Sequence, residues 1–271
     1  MNKLKMFCIS LDANHLDIIR SFNYLPVGLG KGNFSKEWFL DNKGENISFK
    51  NKYYGEYTFH YWLWKNYFAD LEDEWIGFCQ YRKFWSLKKT NLLPKTFNEL
   101  NEQILREIPE SYNGFDAILG EESSVSKLKF MKFVKRGTKL ILKNPLPIFI
   151  KSRRNIKFHF DMWHGSSYLE KAIKLLDSQD RRDFSNFVVE KNSFNPHNMF
   201  ICKSKKILKD YYETVFPWLE RCEKEFGFES LSGYGQTRIY GFLAERFMSY
   251  WFQRNTKYKT MPIVFYEIDK K

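Results

Sequence analysis

The sequence offers few of the common handles on function. Its four cysteines, Cys8, Cys79, Cys202 and Cys222, are scattered over 271 residues and form no C-x-x-C pair. Zinc and iron–sulfur centres need clustered ligands, so both are excluded. Cys8, Cys79 and Cys202 each sit in an apolar, strand-like run, the usual place of a buried reduced thiol. No G-x-x-x-x-G-K-[ST] loop is present and no G-x-G-x-x-G follows the first apolar run; Gly28-Leu29-Gly30-Lys31-Gly32 has neither spacing. H-E-x-x-H and G-x-S-x-G are also missing, which removes most grounds for a hydrolase or a dehydrogenase. No run reaches the roughly eighteen apolar residues that a membrane-spanning helix needs. The opening MNKLKMFCISLDAN has a short apolar run and no cleavage site, so it reads as a first strand and not as a signal peptide. These absences together lead us to expect a soluble, cytoplasmic protein.

One absence is local. From Ser123 to Phe160 there is no Asp or Glu, against eleven Lys or Arg between Lys127 and Lys157, so nearly the whole net charge of +12 lies in one segment. Its cations alternate with Leu, Phe, Met and Ile, which suits peripheral contact with an anionic membrane surface. Nucleic-acid binding and the solvated face of a lid are the other readings, with nucleic acid the less expected partner. Aromatic residues, by contrast, are abundant: 27 Phe, 16 Tyr and 8 Trp, ample for a core.

Short apolar runs at 5–11, 75–79, 115–119, 198–202 and 261–265 read as buried strands. Helical spacing predicts one aromatic-faced helix over 53–68, and others over 98–108, 168–176, 180–190, 204–226 (interrupted near Pro217) and 235–253. Strands alternating with helices predict an α/β fold, mostly parallel in its first half. We expect one domain over 1–271, with a basic, aromatic-rich insertion at about 123–160.

The polar residues most suited to chemistry lie between Gly44 and Phe84. Asn46, Ser48 and Asn51 are short polar groups in a loop before a helix, fit to cap it or to bind a base, ribose or sugar. Tyr81-Arg82-Lys83 follows a buried strand, where open α/β sheets place ligands. Arg82 as a fork and Lys83 as a point charge could hold a diphosphate, or Arg82 could simply pair with Glu56 or with the acidic stretch 70–74.

The run Gly44-x-Asn46-Ile47-Ser48, Asn51, Glu56-x-Thr58, Tyr61-Trp62-x-Trp64-Lys65-Asn66, Ile76-Gly77 and Tyr81-Arg82-Lys83-Phe84 resembles a family of bacterial capsule and lipopolysaccharide glycosyltransferases. That family was long described as a domain of unknown function and includes galactofuranosyltransferase-like members. His164, Asn198-Met199-Phe200-Ile201 and Arg238-x-x-Gly241-x-x-x-Glu245-Arg246 continue the match in the family's order. Where the family has histidine this chain has Gln80, and Lys83 replaces an arginine, which keeps the charge but loses the bidentate fork.

The resemblance implies a nucleotide-diphospho-sugar transferase fold of the GT-A type. It also implies transfer from a UDP-sugar, with UDP-galactofuranose a candidate donor, to a surface-polysaccharide or lipid-linked glycan acceptor. The place of the usual Asp-x-Asp appears as Gln80-Tyr81-Arg82-Lys83, so we expect no metal, with Arg82 and Lys83 offsetting the leaving-group charge. His164, Asp161 and Glu56 are the candidates for catalysis. His197, Asn198, Arg238 and Glu245 are candidates for sugar contact, although Glu245 and Arg238 could instead pair along one helix. The alternative from another class is a non-catalytic basic module that binds nucleic acid or anionic lipid.

Overall fold

The computed structural model describes residues 3–72, 74–88, 93–126, 150 and 153–269. The first apolar run forms β1 (Leu4–Ser10), followed by α1 (Leu16–Ser21), β2 (Leu25–Gly28) and β3 (Phe39–Leu40). Next come α2 (Asn51–Tyr54), α3 (Tyr57–Trp62), β4 (Trp75–Gln80), β5 (Lys83–Trp85), α4 (Phe97–Gln103), β6 (Ala117–Gly120) and β7 (Ser123–Ser124). The second half holds α5 (Ile156–His164), α6 (Tyr168–Lys174), α7 (Ser178–Glu190), β8 (Ser193–Phe194), β9 (Phe200–Cys202) and α8 (Lys205–Phe226). It ends with α9 (Gly233–Thr237), α10 (Ile239–Asn255), β10 (Tyr258–Met261) and β11 (Ile263–Phe265).

The main sheet runs β10-β6-β9-β4-β1-β2-β3, with β5 and β11 attached at the end of β4. Along that path only β9 is reversed: it is antiparallel to β4 and β6, and the other pairings are parallel. Period-two alternation puts Phe7 and Ile9 of β1, with Ile76 and Phe78 of β4, into a core beneath α8 and α10. Met6 and Cys8, with Trp75 and Cys79, enter the core on the opposite face. Covered on both sides, these strands need the continuous apolar runs seen in the sequence. All four cysteines are buried free thiols. Among the described residues no helix is long and apolar enough to cross a membrane.

Four expected elements come out differently, one being the helix read over 235–253, which divides at Arg238 into α9 and α10. The helix read over 53–68 breaks between α2 and α3 at Gly55, whose φ of 59° lies in the left-handed region. It then widens into a π-helical turn at Leu63–Tyr67. Aromatic spacing alone does not reveal the break, because Tyr54 and Tyr57 are buried on either side of it. The helix expected over 98–108 stops at Gln103, since Ile104 turns extended and bridges to Ser86. The helix over 204–226 passes through Pro217 without interruption, its neighbours Phe216 and Trp218 both buried in the core. Of the basic insertion, most of 127–152 lies outside the described residues. Arg154 donates to the Ser126 carbonyl at 3.3 Å, and Lys157 to Asp161 Oδ2 at 2.7 Å.

Candidate active site

The chain leaves β1 for β2 on one side and later returns to β4 on the other, which makes the β1–β4 boundary the point where strand order reverses. Ligands of open α/β sheets bind outside the carboxyl ends of the strands at such a point. Here two cavities, of about 120 Å³ and about 290 Å³, share Glu56, Gln80 and Arg238 and form one cleft. Ile9, Leu29, Asn51 and Tyr81 wall its first part, while Lys83, His197, Asn198 and Glu245 wall its second.

Glu56, directly after Gly55, is the hub of the cleft. Its Oε1 accepts from Asn198 Nδ2 at 2.9 Å and from Gln80 Nε2 at 3.4 Å, and its Oε2 lies 3.4 Å from the Arg238 guanidinium. Gly55 makes this approach possible, because a Cβ at that position would lie 2.3 Å from Arg238 Nη2. Gln80 also donates to the His197 carbonyl at 3.1 Å and accepts from Lys83 Nζ at 3.0 Å. The sheet and α10 thus hold one network in place from opposite sides.

His197 and Asn198 both adopt positive φ, 78° and 52°. Left-handed backbone at non-glycine residues costs of order 1–3 kcal/mol each and collects at functional sites. Glu245 Oε1, accepting from the His197 amide at 2.6 Å, helps to hold the turn. Asn198 Oδ1 is buried without a hydrogen-bond donor. Burial and the neighbouring Lys83 push the His197 pKa down to about 3, so its ring is neutral. Burial also lowers the Lys83 pKa, against the attraction of Glu56 and Glu245.

The expected site residues divide by location. Glu56, Asn51, Tyr81, Lys83, His197, Asn198, Arg238 and Glu245 all line the cleft. Arg82 is exposed beside it, its guanidinium 4.8 Å from the Tyr81 ring centre, and among the described residues it joins no ion pair. The pairing of Arg82 with Glu56 is therefore not formed; Arg238 takes that place. Nor do Arg238 and Glu245 pair with each other, since Glu245 engages Arg246. Asn46 and Ser48 do not line the cleft. Asn46 Oδ1 accepts from the Ser48 hydroxyl at 2.8 Å, while its Nδ2 donates to the Gly44 carbonyl at 2.8 Å, building the loop itself.

The structure keeps His164 away from the cleft surface, buried in α5 and stacked on Phe242 at 4.0 Å. Its Nδ1 donates to the Gly235 carbonyl at 3.0 Å, which leaves Nε2 as the lone-pair nitrogen, facing Arg246 Nη2 at 3.4 Å. Burial, reinforced by Arg246, pushes its pKa down to about 2. Asp161 is also buried and paired with Lys157. Besides the apolar walls Ile9, Leu11 and Leu29, the cleft includes Phe242, hidden within the apolar pattern of α10, and Tyr234, neither of them a candidate from sequence. The setting of Tyr234 as a lone aromatic in Ser232-Gly233-Tyr234-Gly235 was the available signal for it.

Among the described residues, one group has the makings of a cation site. Asp12, His15 and Asp269 place ligand atoms within 4.8 Å of one another near the end of β1. In it, His15 Nε2 pairs with Asp269, His15 Nδ1 meets the Ser10 hydroxyl at 2.7 Å, and Asp12 caps the Asn14 amide at 2.9 Å. The Tyr81 ring stacks on His15 at 5.1 Å, so this group adjoins the cleft.

Residues 12–256 match the family described as a domain of unknown function, DUF4422. The chain belongs to this family. No curated protein matches it. Among solved structures it is similar to the apo structure of WbbM, a bifunctional glycosyltransferase, with a TM-score of 0.67 and 21% identity. The match covers 97% of this chain and 45% of WbbM, so the chain spans less than half of that protein's length. The shared fold is GT-A-like, a mostly parallel sheet flanked by helices, and in this chain the cleft lies at the carboxyl edge of the sheet.

Proposed function

We propose that this DUF4422 chain is a glycosyltransferase that takes a sugar from a nucleotide-diphosphate donor, a UDP-sugar. The acceptor in this reading is a growing surface-polysaccharide or lipid-linked glycan. The observation that carries it is the cleft at the strand-order switch, where Lys83 and Arg238 stand with Glu56 and Arg82 lies at the rim. Donor phosphates fit the cations, and Arg238 can supply a fork. Asn198, which lines the cleft, fixes the Glu56 carboxylate beside these cations through its Nδ2 at 2.9 Å. Of the two cleft carboxylates, Glu245 is tied by Arg246 and the His197 amide, while Glu56 Oε2 has only the longer Arg238 contact. Glu56 is therefore the group we assign to accept the proton of the attacking hydroxyl.

No carboxylate pair follows β4, so in this proposal Arg82, Lys83 and Arg238 offset the leaving diphosphate without a metal. Calorimetry with UDP, with and without EDTA, tests both parts. We expect one UDP per chain, unchanged by EDTA, with Arg238→Ala weakening it by about tenfold or more, the worth of a charge-assisted hydrogen bond. No UDP binding would overturn the donor assignment. Binding or transfer that EDTA abolishes and Mn²⁺ restores would overturn metal independence and direct attention to Asp12, His15 and Asp269. For the basic segment we propose contact with an anionic membrane surface. Co-sedimentation with phosphatidylglycerol vesicles but not phosphatidylcholine vesicles is the expected outcome, and equal binding to both would overturn it.

A further inference from the structure

Next to the cleft lies a second cavity of about 550 Å³, between the end of α5 and α9. That volume is within the roughly 300–1,000 Å³ usual for small-molecule sites. Tyr234 lines both hollows, and its ring, 74% exposed, stands between them. Phe242 meets this ring edge-on at 5.8 Å and the Arg238 guanidinium lies 5.8 Å from its centre, so the side chain is braced from the cleft side.

The chemistry of the second cavity is opposite to that of the cleft. No lysine or arginine lines it. Its polar groups are Asp161, Ser166, Ser232 and Gln236, and its aromatic walls are Trp163 and Tyr234. Asp161 borders it but is only 8% exposed: Lys157 holds its Oδ2 at 2.7 Å, and its Oδ1, near the Ser167 amide, is covered from solvent. Close backbone packing shapes the wall: a Cβ on Gly235 would lie 2.2 Å from the Trp163 carbonyl, so only glycine fits there.

We propose that this cavity is the acceptor subsite, taking a neutral sugar residue of the glycan chain whose next residue reaches the cleft across Tyr234. The inference rests on the glycosyltransferase reading above. Sugars present apolar faces to aromatic rings and hydroxyls to hydroxyl and amide groups, and the cavity offers both in Trp163, Tyr234, Ser166, Ser232 and Gln236. An anionic ligand would find no lysine or arginine in the lining. Donor and acceptor are thereby sorted by charge: diphosphate to the cationic cleft, neutral glycan to the cavity without cations.

Saturation-transfer NMR with methyl β-D-galactopyranoside, methyl α-D-mannopyranoside and methyl N-acetyl-β-D-glucosaminide tests the subsite, with inorganic phosphate as the anionic probe and UDP calorimetry run in parallel. We expect at least one glycoside to receive saturation, and phosphate not to displace it. Gln236→Ala should weaken that glycoside about tenfold. Ser232→Trp, placed at an exposed rim position so that folding is undisturbed, should abolish its binding. UDP affinity should stay within about twofold in both variants. Absence of glycoside binding, equal binding in Ser232→Trp, or displacement by phosphate would each overturn the subsite. Loss of UDP binding in the unaltered protein would instead sink the donor reading, so the two failures are distinguishable.

Discussion

Two regions of the molecule are built from the same residue types and differ in access. The cleft has His197, Arg238, Glu56 and Glu245; the packed interior beside it has His164 and Arg246, with half-buried His159 at its margin. In the interior, Arg246 is 2% exposed, lies 4.5 Å from the Phe194 ring centre, and turns its guanidinium toward both histidines and Glu245. In the cleft, Arg238 is partly exposed and its contact with Glu56 is long. A histidine whose nitrogens are both engaged away from solvent cannot exchange a proton with an incoming hydroxyl. A carboxylate facing a cavity can. Access, more than residue type, therefore separates the group suited to catalysis from the groups that hold the helices together.

The largest effect should come from Glu56. Glu56→Gln keeps an acceptor for Asn198 while removing the base, and transfer should fall by about 10²–10⁴, the usual worth of general-base catalysis. UDP affinity and the unfolding midpoint should change little. If His164→Asn produced a loss of that size at unchanged stability and Glu56→Gln did not, the division between the two regions would be reversed.

Arg246 sharpens the same contrast from the interior. Arg246→Leu leaves the Glu245 carboxylate without its cation in a largely buried place, and should lower folding stability by about 3–5 kcal/mol. Urea unfolding reads that loss directly, while the fraction that remains folded should still bind UDP. Arg238→Leu should do the reverse: weaker UDP binding at nearly unchanged stability.

Much of the fold was legible because strands buried on both faces must be continuously apolar; β1 and β4 announce themselves as LKMFCIS and WIGFCQ. The cleft residues gathered from 51–56, 80–83, 197–198 and 238–245 were also named from sequence, mainly through the resemblance, since no local pattern joins segments so far apart. What stayed hidden was burial. His164 and Asp161 look like reactive groups in a polar turn, yet α5 turns both inward. Asn46 and Ser48 look like ligand contacts, yet they satisfy each other. Gly55 breaks a helix that aromatic spacing continues, because Arg238, far along the chain, needs the space.

The smallest effect expected is on the pH dependence of stability, and it tests how sealed the interior is. His60 and His159, like His197, have pKa values pushed down to about 3 by burial, and His164 to about 2, from the ordinary 6.5. Below pH 6.5 the unfolded chain takes up protons on these rings and the folded chain does not, so acidification favours unfolding. The stability they permit is complete above about pH 6.5 and is lost progressively as pH falls toward the folded values. Each ring contributes a slope of at most about 1.4 kcal/mol per pH unit. In His164→Asn, where the amide can still donate to the Gly235 carbonyl, the slope between about pH 6.5 and pH 5 should be shallower by one ring's share, and the pH profile of transfer should keep its shape. Urea midpoints across that range, set beside initial rates, check both. A changed rate profile with an unchanged stability slope would show His164 exchanging protons with the cleft, and the distinction between an accessible and a sealed histidine would fail at this residue.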